Sequence, residues 1–540
     1  MTASRQPMPT VALDEARFLR GLQRDFKNTA EMLVTRAREI PDHPYVRFYE
    51  ETITYAQMND RANRVADGLR QRGVRRGDVI AMLIPNDPAV YDVMFGAQKI
   101  GAIPAVLNFT LKAPEIAYLI EDGRPSIIFV AAACNPELQK ALAETGHRPE
   151  VILVPGADDS DITREDFTAW ETIMAPRAVD EAMEPLSASD PFLLLYSSGT
   201  TGHPKGILLT HGGQLCVCRD MARLGLVSGD DVMLLMLPMY HVNPICVWTF
   251  PMMFCGQTIC LRKGFSPADF WPAIVANGVT ILMGVPAMYS YVYQSIPPET
   301  VDKANLRLRY AFCGAAPLPV ELIRGFKERF DVDIIEGYGL TEGTGVVAAN
   351  PPLGTRKTGS VGQIFTEQDV RIVDLDGQPV PDGRRGEIWI RGAAVMAGYR
   401  NNPTATTETL VDGWLRTGDV GVMDADGFLY IVDRIKDMIN RGGENIYPRE
   451  IEEALAGHPD IAEAAVIGVP DQALGERVKA VVQPARPDAL SAADITAFLA
   501  DRLARQKIPE IIEITEALPR NASGKVLKRV LREREAGTAA

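Results

Sequence analysis

The chain has 540 residues, which is too long for one hydrophobic core, so two or more domains are expected. Its composition, 46% hydrophobic and 23% charged, is that of an ordinary soluble globular protein. The net charge of −14 is spread along the chain, which argues against nucleic acid as the main partner and means that local donors must bind any anionic ligand.

In the N-terminal third of the chain, apolar runs and capping residues predict alternating strands and helices. Thr54 and Gln57 form a capping box at the start of a helix that Gly73 ends. The apolar run at residues 79–84 predicts a buried strand, and residues 90–100 predict a helix. The same alternation recurs to about residue 330, which is typical of layered α/β units with largely parallel sheets.

A loop rich in glycine and hydroxyl side chains follows the strand predicted at residues 192–196. Its glycines let backbone N–H groups face one centre, and its hydroxyls and lysine add donors there, which suits the oxygens of a polyphosphate. A Walker P-loop needs Ser or Thr directly after the lysine, where this chain has Gly206, so a Walker NTPase is not expected. A polar surface turn is the plain alternative. The candidate phosphate ligands are Ser197, Ser198, Gly199, Thr200, Thr201, Gly202 and Lys205.

The cysteines and the most apolar stretch bear on the cellular compartment. Seven cysteines, mostly in apolar segments and without the paired spacing of a zinc site, predict reduced core residues of a cytoplasmic protein. Residues 245–261 are the most apolar stretch, but Pro251, Gly256 and Gln257 interrupt it, so stable membrane insertion is not expected.

Two segments in the middle of the chain have the features of a nucleotide site. Residues 312–317 place small residues after a predicted strand, where a flat ring could lie against the backbone, although close helix–strand packing would use the same residues. In residues 336–342, two glycines allow close backbone approach and Tyr338 offers a face for stacking. Thr341 and Glu342 end this segment with oxygen ligands, and one carboxylate plus phosphates is enough to bind Mg²⁺.

The pattern changes after residue 360, where short alternating strands separated by Gly and Asp turns predict a small β-rich subdomain. After Arg434, about a hundred residues predict a compact α+β unit that can form its own core. Its helices are expected near residues 450–456 and 492–505, and its strands near residues 464–468, 478–483 and 510–515.

Taken in chain order, these motifs resemble those of the adenylate-forming superfamily, which includes acyl-CoA synthetases, firefly luciferase and the adenylation domains of nonribosomal peptide synthetases. The resemblance extends from about residue 28 to residue 530. It implies an α/β fold with a large N-terminal body, residues 1–434, in which layered α/β subdomains and a small β-rich subdomain bind AMP and the acyl group. It also implies a small, mobile α+β lid domain, residues 435–540, which carries a catalytic lysine.

The resemblance assigns roles to residues of each motif. Glu342 is implied to hold Mg²⁺, Thr341 to contact the α-phosphate, and Lys525 to bridge the substrate carboxylate and the α-phosphate. Lys436 occupies the hinge position of the lid. Many relatives carry Asn or Gln where this chain has Glu336, whose carboxylate can still accept from the adenine amino group. The implied adenine contacts are Gly314, Ala315, Ala316, Glu336, Gly337 and Tyr338, and the implied ribose ligands are Asp419 and Arg434.

The acyl and CoA sites are implied by position in the same family. His241 is implied to gate the passage between the acyl carboxylate and the thiol tunnel, although a lone histidine is also a common core residue. Gly442 and Gly443 are implied to line the CoA tunnel after the lid rotates. The residues of the acyl pocket are mostly apolar and small, so it should admit an aromatic, alicyclic or medium-chain acyl group. No lysine, arginine or aspartate is evident there, which disfavours an amino acid or a dicarboxylate. The implied residues of this pocket are His241, Val242, Asn243, Met283, Cys313, Gly337, Gly339 and Thr344.

The implied activity is that of an AMP-forming, ATP-dependent acyl-CoA synthetase that uses ATP, Mg²⁺, CoA and a small carboxylic acid. Three alternatives stay open: an adenylation enzyme that loads a separate carrier protein, an adenylate-binding protein without activity, and an oxygenase of the luciferase type. Arg441, Arg477 and Lys479 are only candidates for the CoA 3′-phosphate. The oligomeric state is not determined by the sequence, and a homodimer is one alternative.

Overall fold

The structure, a computed structural model, describes residues 26–155, 167–174, 183–197, 204–316, 318–486, 490–520 and 526–538. Within these residues the chain builds two large sheets with helices, a small antiparallel sheet, and a C-terminal unit with a sheet of its own. The predicted α/β class, with a large N-terminal body and a smaller C-terminal domain, is confirmed.

The first large sheet is built around parallel strands, such as Tyr310–Cys313 beside Ile334–Tyr338. Its central strands are apolar and buried, as parallel strands covered on both faces require. Antiparallel pairs occur only towards its two ends. In spatial order, its nine strands in the described part of the chain are Gln363–Ile364, Ala348–Ala349, Ile334–Tyr338, Tyr310–Cys313, Ile281–Gly284, Val232–Leu235, Thr258–Leu261, Pro44–Phe48 and Glu51–Thr54.

The second large sheet has a parallel centre and an antiparallel edge. The strand predicted at residues 79–84 is Val79–Leu83, with every residue buried. The edge is a hairpin of Pro191–Ser197 and Lys205–Thr210, which flanks the predicted phosphate loop. In spatial order, the eight strands that the described residues contribute are Gly398–Tyr399, Lys205–Thr210, Pro191–Ser197, Ile103–Val106, Val79–Leu83, Ile127–Ala131, Glu150–Val154 and Thr168–Ala169.

The helices of the body cover these sheets. Tyr55–Gln71 begins at the predicted capping box, where Thr54 Oγ1 accepts the Gln57 N–H at 3.3 Å and Gln57 Oε1 accepts the Thr54 N–H at 2.8 Å. Gly73 follows with a φ of 77°, a left-handed conformation that ends helices. The α-helices of the body are Thr29–Glu39, Tyr55–Gln71, Pro88–Lys99, Ala113–Gly123, Asn135–Glu144, Trp170–Met174, His211–Arg223, Phe250–Cys255, Pro267–Ala276, Pro286–Ser295, Val320–Phe330 and Pro403–Thr409.

The most apolar stretch is interrupted as the sequence predicts. A π-helix, Asn243–Thr249, leads into the short helix Phe250–Cys255, and Pro251 supplies no N–H to the turns where the two meet. The strand Thr258–Leu261 completes the segment. No helix among the described residues is long and apolar enough to cross a membrane.

The predicted β-rich subdomain is an antiparallel sheet. Its strands run from residue 368 to residue 434, and Trp414–Met423 pairs on both sides. A separate apolar cluster that includes Ile388, Ile390, Leu415 and Leu429 is buried on one face. The strands are Gln368–Val373, Gly386–Gly392, Leu410–Val411, Trp414–Met423 and Leu429–Arg434.

The C-terminal unit has a core of its own, built from residues such as Ile451, Val466 and Leu499. The helix predicted at residues 492–505 is shorter, Ala492–Ala500, because the chain turns so that Leu503 packs on that core. The strands are Ile439–Arg441, Glu444–Ile446, Ile461–Asp471, Gly475–Pro484 and Ile511–Ile514, and the α-helices are Pro448–Ala456, Ala492–Ala500 and Lys528–Thr538.

Candidate active site

The carboxyl ends of parallel strands bring two of the predicted motifs to one edge of the first sheet. Tyr310–Cys313 leads directly into Gly314, and its neighbour Ile334–Tyr338 leads into the turn Thr341–Gly343. Ligands of open parallel sheets bind at this edge. The site is therefore built where the strand directions predict it.

The phosphate loop begins and ends on a strand pair that fixes its two ends. Ser197 and Lys205 lie directly opposite each other in the antiparallel register. The Lys205 ammonium lies 4.8 Å from the centre of the Tyr399 ring, which is a cation–π contact. The other predicted phosphate ligands, Ser198, Gly199, Thr200, Thr201 and Gly202, lie outside the described residues.

Glu342 lies in a short 3₁₀ turn, and its carboxylate is held from outside that turn. The Tyr399 hydroxyl donates to Glu342 Oε1 at 2.9 Å, and the Glu342 carbonyl accepts the Met396 N–H at 2.8 Å. Thr341 precedes it in the same turn, and the Thr341 carbonyl accepts the Thr344 N–H at 3.0 Å. Thr344 is 1% exposed, with a φ of 56°, so it shapes the turn from the inside.

The two predicted ribose ligands pair with each other, and the predicted stacking tyrosine bonds to one of them, the buried Asp419. Asp419 and Arg434 lie opposite each other on adjacent strands, and Arg434 Nε is 2.9 Å from Asp419 Oδ1. The Tyr338 hydroxyl donates to Asp419 Oδ2 at 2.6 Å, a charge-assisted bond that fixes the ring. Burial and the Asp419 charge raise the pKa of Tyr338 well above its usual value, so this hydroxyl stays a donor.

The turn that carries Glu342 and the cluster of Tyr338, Asp419 and Arg434 belong to one site. Tyr338 and Glu342 lie four residues apart on one segment, and the charge of Glu342 is among the causes that raise the pKa of Arg434, after Asp419 as the largest. Three motifs that are far apart in sequence therefore converge within electrostatic range.

The small residues of the predicted adenine segments are required by close packing. A Cβ at Gly337 would meet the Phe312 ring at 2.3 Å, and a Cβ at Gly339 would meet the Gly345 carbonyl oxygen at 2.3 Å. Ala315 has a φ of 71°, which is a strained conformation for a residue other than glycine. Gly314 is buried, whereas Ala315 is exposed and Ala316 is half-buried, so the end of this segment faces solvent.

The Glu336 side chain is buried, and its contacts are with other groups of the protein. It is 7% exposed, and its carboxylate accepts backbone N–H groups of Gly359 and Leu318. Burial raises its pKa to about 7, and the charge of Arg449, from the lid, opposes that shift. The residue therefore links the adenine segment to the lid, a role that the sequence did not predict.

The predicted acyl side of the site contains two polar atoms without partners. Among the described residues, His241 Nε2 and Asn243 Oδ1 are buried and have no hydrogen-bond partner. The His241 ring centre is 4.3 Å from that of Tyr240. A Cβ at Gly314 would lie 3.5 Å from Asn243 Nδ2, so Asn243 lies beside the strand end that begins the adenine segment.

The remaining predicted acyl residues are apolar and closely packed. Met283 and Cys313 are 0% and 1% exposed, so they lie behind the surface of the site. A Cβ at Gly345 would meet Val242 Cγ2 at 3.2 Å, which places Val242 against the turn that follows Glu342. The predicted acyl residues are thus mostly small or apolar, and His241, Asn243 and Thr344 are the polar ones.

Burial of His241 has a measurable consequence for stability. It lowers the pKa of His241 from 6.5 to about 4, so the folded state does not take up the proton that the unfolded chain binds below pH 6.5. The resulting stability is present above pH 6.5 and is lost as the pH falls towards 4.

Between pH 7 and pH 4.5, we expect the free energy of unfolding of His241→Asn to fall by about 2–3 kcal/mol less than that of the wild type. Urea unfolding at the two pH values measures this difference. His211, whose pKa is also lowered to about 4 by burial, stays in the variant, so some pH dependence should remain. Identical pH dependence in wild type and variant would contradict the burial effect.

Lys436, the predicted hinge residue, lies in the 3₁₀ turn Ile435–Asp437, next to Arg434. Burial, and then the charge of Arg434, lowers its pKa. Asp437 pairs with Arg532 of the C-terminal helix at 2.8 Å, which ties the hinge to the lid. Lys525 lies outside the described residues.

The predicted CoA residues lie on a hairpin of the C-terminal unit. Gly442 and Gly443 form the exposed tip of the hairpin of Ile439–Arg441 and Glu444–Ile446. They have φ values of 62° and 88°, which favour glycine. The candidates for the CoA 3′-phosphate each already pair with a carboxylate: Arg441 with Glu510, Arg477 with Asp471, and Lys479 with Glu513 and Glu535.

Tyr399 is the functional residue that the sequence did not reveal. It lies 57 residues from Glu342 and belongs to a two-residue strand, so no local motif or periodicity marks it. Only the pairing of Gly398–Tyr399 with Lys205–Thr210 brings it to the site.

Comparison with protein families gives two separate matches. The AMP-binding enzyme family matches residues 33–400, and the AMP-binding enzyme C-terminal domain matches residues 450–525. The two matches lie on either side of the predicted hinge.

Individual proteins are similar over nearly the whole length. A feruloyl-CoA synthase of Amycolatopsis sp. is 37% identical over 93% of this chain and 98% of its own. The long-chain-fatty-acid–CoA ligase FadD13 of Mycobacterium tuberculosis is 36% identical over 95% of this chain and 99% of its own. The crystal structure of ATP-bound MatB from Rhodopseudomonas palustris is 30% identical, with a TM-score of 0.84, and covers 94% of this chain and 99% of its own.

Proposed function

This chain belongs to the AMP-binding enzyme family, and on that premise we propose that it is an AMP-forming acyl-CoA synthetase. The observation that carries the proposal is the convergence of Lys205, Glu342, Tyr338, Asp419 and Arg434 at one edge of the body. A cation, a carboxylate open to a metal, an aromatic face and a ribose-binding ion pair are the groups that ATP requires.

The chemistry explains why ATP is needed. A thiol cannot displace oxide from a carboxylate, so one carboxylate oxygen first attacks the α-phosphorus of ATP and pyrophosphate leaves. The resulting acyl-adenylate is a mixed anhydride. The CoA thiol then attacks the acyl carbon, loses its proton and expels AMP.

The first step brings one anion to another, and the protein lowers that electrostatic barrier. In this proposal Lys205 neutralises the departing pyrophosphate, and Lys525 acts at the meeting point of carboxylate and α-phosphate. Asp419 and Arg434 hold the ribose, and Tyr338 stacks on the adenine. Together they orient the α-phosphorus towards the acyl side.

Glu342 fits the Mg²⁺ that the family implies. Tyr399 occupies only Oε1 of the carboxylate, which leaves the second oxygen as a hard ligand. One carboxylate together with phosphate oxygens is enough to bind Mg²⁺, which keeps several of its waters. When bound, Mg²⁺ would neutralise phosphate charge.

We also propose that the protein acts in the cytoplasm. All seven cysteines are free, and burial raises the pKa of most of them, which is the state expected in a reducing compartment. Buried thiols of this kind are inert core residues rather than catalytic groups.

A panel of carboxylic acids, scored by pyrophosphate release with and without CoA, tests the function. Steady turnover is expected only with CoA, together with AMP and an acyl-CoA product. Faster acyl transfer to a holo-carrier protein than to CoA would favour carrier loading. ATP binding without pyrophosphate release on any acid would favour a non-enzyme, and oxygen-dependent turnover of the adenylate would favour an oxygenase.

The side chain of Asn243 indicates which acids the enzyme should turn over best. Its buried Oδ1 has no partner among the described residues, so an acid with a hydroxyl group at that depth supplies the missing donor. In Asn243→Leu, which keeps the size but not the polarity, we expect the preference for hydroxylated over parent acids to fall about tenfold in kcat/KM. Matched pairs of aromatic and aliphatic acids measure it. An unchanged preference would remove Asn243 from the acyl pocket.

A further inference from the structure

Tyr399 is firmly held at the edge of the second sheet. It lies opposite Ile207 in the antiparallel pair with Lys205–Thr210, and its N–H donates to Thr406 Oγ1 at 2.9 Å. Lys205 is two residues from Ile207, so its side chain is the diagonal neighbour of the Tyr399 ring. The position of the ring is therefore fixed by the backbone and not only by its contacts.

The side chain of Tyr399 contacts two groups of opposite charge. Its ring lies 4.8 Å from the Lys205 ammonium, and its hydroxyl donates to Glu342 Oε1 at 2.9 Å. No other described residue contacts both charged groups in this way.

We propose that Tyr399 is a positioning residue that holds Lys205 and Glu342 apart at the spacing that a metal-bound polyphosphate needs. The inference rests on the proposed function, because it takes Lys205 as a phosphate ligand and Glu342 as a metal ligand. Lys205 and Glu342 would otherwise be free to form a direct ion pair, which would have to break before ATP could bind. The aromatic ring separates the charges, while its face attracts the ammonium and its hydroxyl orients the carboxylate.

Two substitutions separate the two contacts. Tyr399→Phe keeps the ring beside Lys205 and removes only the hydrogen bond to Glu342, whereas Tyr399→Leu removes both. Calorimetric titration with α,β-methylene-ATP, with and without MgCl₂, reads binding without turnover. In Tyr399→Phe we expect affinity for the magnesium complex to fall about tenfold and metal-free affinity to stay near wild type. In Tyr399→Leu we expect metal-free affinity to fall several-fold as well.

A second tyrosine gives a matched control. The Tyr430 hydroxyl donates to Asp424 Oδ2 at 3.3 Å, outside the site, so Tyr430→Phe also removes a phenol–carboxylate bond. This control should bind the nucleotide as the wild type does, with and without Mg²⁺. Thermal unfolding of all three variants identifies any general loss of structure.

The outcomes distinguish the inference from the function on which it rests. Wild-type affinities in Tyr399→Phe, or equal losses with and without Mg²⁺ accompanied by a lower unfolding temperature, would overturn the positioning role. Failure of the wild-type protein itself to bind the analogue would overturn the proposed function. A magnesium-specific loss in Tyr399→Phe, absent from Tyr430→Phe, would establish the positioning role.

Discussion

Replacing Lys525 with alanine is expected to slow acyl-adenylate formation by about 10²–10³ or more, while thioester formation from supplied acyl-adenylate stays largely intact. The first step joins a carboxylate to a phosphate, so a cation at their meeting point stabilises the charge that accumulates there. The second step expels AMP from a neutral acyl carbon and does not need that cation. Single-turnover measurements of pyrophosphate release and of acyl-CoA formation from synthetic adenylate separate the two rates.

Arg529→Ala is a matched control for this experiment, because it removes another lid cation a few residues along the chain. Arg529 is 65% exposed and pairs with Glu533 of the same helix, so its loss should leave both half-reactions near wild type. Equal losses of both half-reactions in Lys525→Ala would refute the assignment of the lysine to adenylation.

The elements that the sequence predicted well are those that local physics determines. The capping box at Thr54 needs only residues three apart, and the strand Val79–Leu83 needs only an apolar run. The class of fold follows from the alternation of such elements. The helix Ala492–Ala500 ended early because Leu503 packs on a core that no local pattern specifies.

The site was predictable where a motif is continuous and not where distant segments meet. Tyr338 and Glu342 share one segment, so their closeness follows from the sequence. The pairing of Asp419 with Arg434 depends on the register of two antiparallel strands, which only the resemblance to a family suggested. Tyr399 depends on pairing between residues almost two hundred positions apart, which single-sequence patterns do not encode.

Glu336 shows the same limit for a residue that the sequence did single out. The family resemblance implies that Glu336 contacts the adenine. Its carboxylate, however, accepts backbone N–H groups from Leu318 and Gly359 and is close enough to Arg449 of the C-terminal unit to feel its charge. Those partners come from three other segments, so neither spacing nor residue type could indicate them. The adenine segment and the lid are therefore coupled through a buried carboxylate.

We propose that the second half-reaction needs a rotation of the C-terminal unit. Gly442 and Gly443, which are proposed to line the CoA tunnel, lie at an exposed hairpin tip of that unit. The proposed hinge between the body and the C-terminal unit is the 3₁₀ turn Ile435–Asp437. A change of backbone angles at Lys436 would swing the hairpin without disturbing either core.

Lys436→Pro is therefore expected to slow thioester formation by about tenfold or more while acyl-adenylate formation changes by only a few-fold. Proline fixes φ near −65°, which is the value that a 3₁₀ turn already uses, so the variant should hold the lid in the orientation seen here. The two half-reactions are measured as for Lys525→Ala, and the expected defects are opposite. Lys436→Ala removes the same side chain but leaves φ free, so its thioester step should be much less impaired. Matched slowing of both steps in the proline variant, or an equal thioester defect in the alanine variant, would show that the side chain and not the backbone rotation limits the second step.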